Sequence, residues 1–144
     1  MANSTLKTIQ GKISIKGDFE KVEMPTRDAF FKVFGFTPSS FDLFAAEIWA
    51  NMPEASQGSS LQCVGWNYGA WKFSFRDTEG DEPEKTHVTD KGKCLAAVAV
   101  FMVMKAQGQF KGIPITDMKD AGEYDAIAVD AVAQLAVLGE VIYG

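Results

Sequence analysis

Residues 61–77 read LQCVGWNYGAWKFSFRD, and the alternation inside that stretch decides the fold class. Trp71, Phe73 and Phe75 alternate with Lys72, Ser74 and Arg76, the two-residue period of a strand with one buried face. Residues 61–67 supply the partner strand, and Asn67-Tyr68-Gly69 is the turn between them. Gly69 suits the left-handed position of a three-residue hairpin loop. That register predicts Leu61, Cys63 and Gly65 on the face of the aromatics and Trp66 on the opposite face.

Working outward toward the C-terminus, the acidic stretch Asp77 to Glu84 leads to a third strand near Glu84–Val88. Thr89 is expected to cap a long helix that runs to about Ala106. This helix is apolar around its whole circumference between Cys94 and Met104, with its lysines at the ends, so it must be surrounded. Asp120 and Glu123 resemble a capping pair for a final helix over about 123–138. Its polar stripe is narrow, essentially Glu123, Asp130 and Gln134, while Ile127, Val129, Val132, Leu135, Val137 and Leu138 want cover.

Toward the N-terminus, residues 7–16 alternate as a strand, and Phe19, Val22 and Met24 suggest a short returning strand ending at Pro25. Thr26 can cap a helix that Gly35 ends, and Thr37-Pro38 starts a second one carrying Phe41, Phe44, Ile48 and Met52 at helical spacing. Pro53 should stop it, leaving Glu54 to Ser60 as a loop. The predicted order is ββααβββαα: an α+β fold with a small antiparallel sheet of about five strands and helices on one face. Residues 1–5 are expected to be a disordered tail and 6–144 a single domain.

Composition fits one globule. A chain of 144 residues with 47% hydrophobic residues can build a real core, and 23% charged residues is far from a disordered composition. The net charge of −5 lacks the electrostatic footprint of a nucleic-acid binder. The longest apolar run, Cys94 to Met104, is about half the ~20 residues that cross a bilayer, so no membrane association is expected. The first residues lack a basic start and an apolar stretch, which predicts a chain without a secretory signal and a cytoplasmic location. The two cysteines, Cys63 and Cys94, read as free thiols in a reducing compartment.

Recognisable catalytic and phosphate-binding motifs are missing, and His87 is the single histidine. No metal and no cofactor are expected: the acidic stretch lacks the spaced ligands of a calcium loop and reads as a solvated connection. A Cys-His pair of Cys63 or Cys94 with His87 is disfavoured, because an apolar setting suppresses the thiolate. The most informative cluster is Trp66-Asn67-Tyr68-Gly69-Ala70-Trp71 with Lys72 and Arg76 nearby, since aromatics beside cations grip partners. Trp71 reads as core, and Tyr68, at the turn tip, as the exposed member.

The function expected from these features is non-enzymatic. The chain reads as an oligomerising, acidic binding protein that holds a protein or small-molecule ligand through Trp66, Tyr68, Lys72, Arg76 and His87. On frequency alone, small acidic domains without catalytic motifs come from viruses, phages among them, or from mobile elements, and act by sequestering a host component. Self-association is expected through the two C-terminal helices, whose apolar surface exceeds the cover on offer. Two alternatives stay open: a small enzyme with an acid–base site around His87, and a structural assembly subunit.

Overall fold

The computed structural model describes residues 26–143. The two N-terminal strands expected over 7–16 and 19–24, and the expected tail at 1–5, lie outside the described residues. Within them the chain is mixed helix and sheet: five α-helices and a three-stranded antiparallel sheet.

Helix α1, Arg27–Phe34, starts where Thr26 accepts a hydrogen bond from the Ala29 amide at 3.0 Å and ends at Gly35, whose φ of 78° is left-handed. Helix α2, Pro38–Ala50, opens with a reciprocal cap between Thr37 and Ser40 and with Pro38 in its first turn. Pro53 does not leave a loop. It sits in the first turn of a short helix α3, Met52–Ala55, where its missing N–H costs nothing. Phe30 and Phe41 pack edge to face, and the rings of Phe36, Phe44, Tyr124 and Phe101 continue the aromatic chain toward the C-terminal helices.

Strands β1 (Leu61–Asn67), β2 (Lys72–Asp77) and β3 (Thr86–Val88) pair in the order β1-β2-β3. The register slips between Cys63 and Gly65, where Val64 is the extra residue of a bulge. Cross-strand partners share a face. The slip therefore sends Gly65 to the side of Ser74 and brings Trp66 to the side of Phe73, the reverse of the register expected from the turn. The turn differs too. Residues Tyr68–Ala70 form one 3-10 turn, and the left-handed residue is Trp71, at φ 57°, not Gly69.

The inner sheet face carries Leu61, Phe73 and Phe75, all buried, and Trp49 of α2 lies 4.9 Å from Phe73, ring to ring. The outer face carries Gln62, Lys72, Arg76, Thr86 and Val88, all exposed. Helix α4, Lys91–Ala106, is capped by Asp90, which accepts from the Lys93 amide at 2.8 Å. Thr89, expected as that cap, is buried and extends the sheet instead. Its hydroxyl accepts from the Phe73 amide and donates to the Trp71 carbonyl, both at 3.0 Å.

Helix α5 spans Ala126–Leu138, three residues shorter at its start than expected. Asp125 caps it, and Asp120 and Glu123 belong to a separate 3-10 turn at Ala121–Glu123. Helices α4 and α5 pack against each other, α2 covers α4, and α3 and β1 cover α5. As a result Ala128, Ala131, Val132, Ala133 and Ala136 are buried within one chain. Much of the cover whose shortage suggested an oligomer is supplied internally, while Ala126 and Ile127 stay exposed and Val137 and Leu138 are partly buried. None of the described helices is long and apolar enough to cross a membrane.

Candidate functional site

The end of the hairpin holds three of the five residues singled out from the sequence, Trp66, Tyr68 and Lys72. Tyr68 stands edge-on to Phe73, with ring centroids 5.7 Å apart, and its hydroxyl donates to the Ala50 carbonyl at the end of α2, at 3.3 Å. It is thus tied down at the turn, yet 49% exposed. Trp66, directly across the sheet from Phe73, is 53% exposed, and Val64 at the bulge is also largely open. Lys72 and Arg76 lie on the outer face, opposite Asn67 and Gln62. Trp71 is partly buried, with the Lys91 ammonium 5.9 Å from its ring, and Lys91 also pairs with Asp42 at 3.0 Å.

His87 sits elsewhere. It pairs with Phe75 on β3, at the inner face, and lines a small cleft of about 150 Å³ with Asp77, Asp81, Glu82 and Lys85. Arg76 lies on the other face of the sheet and does not join the surroundings of His87. Cys63 and His87 flank Phe75 on the two outer strands, two strand spacings or roughly 10 Å apart. Cys94 is buried among Thr89 and Trp71 backbone, and burial pushes its thiol up to about 12. Burial also raises the Cys63 thiol. Both cysteines are free, and neither forms a dyad with His87. Among the described residues no cluster of His, Cys, Asp or Glu could hold a metal ion.

The polar centre that the sequence reading missed is on α5. Gln134, expected on a solvated stripe, is 1% exposed. Its Oε1 accepts from the amides of Ile142 and Tyr143 at 2.8 and 2.9 Å, and its Nε2 donates to the Tyr143 carbonyl at 3.1 Å and to Asp130 Oδ2 at 2.8 Å. Gly139, at φ 78°, ends the helix and turns the C-terminal residues back over it. Tyr143 then reaches Asp77 at the end of β2, hydroxyl to Oδ1 at 2.5 Å, and that bond pushes the phenol up to about 12. Between this tail, α5, and the segments 57–59 and 110–113 lies a cleft of about 400 Å³. A glutamine on a mostly apolar helix was the available signal. An amide there must find partners if it is buried.

No family model matches this chain, and comparison with curated proteins and with solved structures found no match in either.

Proposed function

We propose that this chain is a non-enzymatic binding protein that engages another protein through the open end of its hairpin. One observation carries the reading. Val64, Trp66 and Tyr68 fall within five residues and all stay about half exposed, whereas Phe73, Phe75 and Trp49 beside them are buried. Single exposed apolar side chains are ordinary, but a Trp and a Tyr both beside Phe73 and both half exposed have the composition of a binding hot spot. Tyr68 is already held by Phe73 and Ala50, so little side-chain freedom is lost when a partner covers it. Lys72 and Arg76 are exposed on the opposite face of the sheet, so they add to this surface only for a partner that wraps round the edge strand β1. The separation of His87 from Cys63 and from Arg76 weighs toward binding and away from catalysis.

Self-association belongs to the same proposal, with a second copy as one partner that the hairpin end would fit. The C-terminal helices can contribute little to it. Ile127, 62% exposed, is the large apolar residue that α5 leaves uncovered. Native mass spectrometry of the chain drawn from its natural lysate tests the proposal. A defined added mass with the wild-type chain that disappears with Trp66→Ala supports it, and the same added mass with both, or the bare chain alone, contradicts it.

A further inference from the structure

The cleft over α5 is separate from the hairpin end, and its volume of about 400 Å³ falls within the range of small-molecule pockets. Its lining is mostly apolar and includes Phe110, Ile113, Ile127 and Val141. Asp130 is the one charged residue in that lining. Its two oxygens are treated differently. Oδ2 accepts from Gln134, whereas Oδ1 is buried and receives no hydrogen bond.

The neighbouring donors are committed. Gln134 directs its other amide hydrogen to Tyr143, the Tyr143 hydroxyl is taken by Asp77, and Ser59 donates its single hydrogen to the carbonyl of Leu61 at 2.7 Å or of Ser56 at 2.9 Å. A buried carboxylate oxygen without a donor is costly, and a ligand that brings a charged donor recovers that cost. The soft terminal torsion of aspartate lets the carboxylate turn toward the cleft.

We propose that this cleft binds a small organic cation, with a primary ammonium group meeting Asp130 and a ring-sized apolar body lying against Phe110, Ile113 and Ile127.

Three probes with one common body test this: phenethylamine, phenethyl alcohol and phenylpropionate, titrated into the full chain by calorimetry with backbone amide shifts of α5 as the locator. The amine should bind about tenfold more tightly than the alcohol, the carboxylate should bind more weakly than either, and the shifts should centre on Asp130. In Asp130→Asn the amine should lose its advantage over the alcohol. Equal binding of all three probes by the wild-type chain, shifts centred elsewhere, or no binding at millimolar amine would overturn the proposal. The wild-type series decides the matter even where the Asn variant fails to fold.

Discussion

The side chain of Gln134 brackets the backbone of Tyr143, accepting from its amide at 2.9 Å and donating to its carbonyl at 3.1 Å. A buried primary amide has four hydrogen-bonding positions, and here two acceptor sites and two donor hydrogens are all engaged. The residues after α5 are thereby tied to both α5 and β2, because Tyr143 continues to Asp77.

Gln134→Ala should accordingly lower stability by about 1–3 kcal/mol, since it leaves buried amides of the tail without an acceptor. Gln134→Glu should cost more, because it removes both donors and sets a second carboxylate against Asp130. Urea denaturation of the two variants checks this. A pair of curves superimposable on wild type would show that the tail is not held by this residue.

Asp130 imposes a pH dependence whose sign follows from burial, which raises its carboxyl above the ordinary range against the opposing hydrogen bond of Gln134. Between the ordinary value of about 4 and the raised one, the folded chain holds a proton that the unfolded chain has released. Stability therefore falls as pH rises through that window. Glu123 works in the opposite sense. Hydrogen bonds from Thr116 hold its carboxyl down, so its contribution is complete above the ordinary value and is lost as pH falls through the depressed one. Asp130→Asn should gain stability relative to wild type as pH rises from about 4 to about 7. Urea midpoints that stay parallel across that range would contradict the assignment.

Val132 is fully buried between elements of the same chain. Val132→Asp should therefore unfold or strongly destabilise the single chain, by about 3 kcal/mol or more, because an unpaired charge is placed in the core. Thermal melts at several protein concentrations distinguish this from loss of an interface. The account predicts a loss independent of concentration, and a loss that concentrated protein recovers would restore the oligomer reading of α5.

Much of the described fold was legible because its signals are local. Thr26 with Gly35 place the first helix to within a residue, Thr37 with Pro38 place the start of the second, and the aromatic alternation of 71–75 marks β2 without help from its surroundings. The misreadings arise where neighbours compete for one role. Thr89 and Asp90 are both good caps, and Asp90 caps because the Thr89 hydroxyl is needed by the Phe73 amide. The regular alternation of 61–67 hides the bulge at Val64 beside Gly65, and the resulting slip moves Trp66 to the other face. Trp71 adopts a left-handed conformation that nothing in its side chain favours, held there by the hydrogen bonds its carbonyl receives from Thr89 and Cys94. The α5 cleft was not legible, because its wall is a tail whose return over Gln134 depends on contacts across the whole domain.

The central claim, that the hairpin end is a binding surface, is tested most directly by comparing Trp66→Ala with Tyr68→Ala for affinity toward the partner recovered with the wild-type chain and for melting temperature. Trp66→Ala should weaken binding by at least about tenfold, a hot-spot loss of more than ~1.4 kcal/mol, with a nearly unchanged melting temperature. Tyr68→Ala should weaken binding and also lower the melting temperature, since it removes the contact with Phe73 and the hydrogen bond to Ala50. Undiminished affinity in Trp66→Ala, in a chain that melts like wild type, would contradict the account.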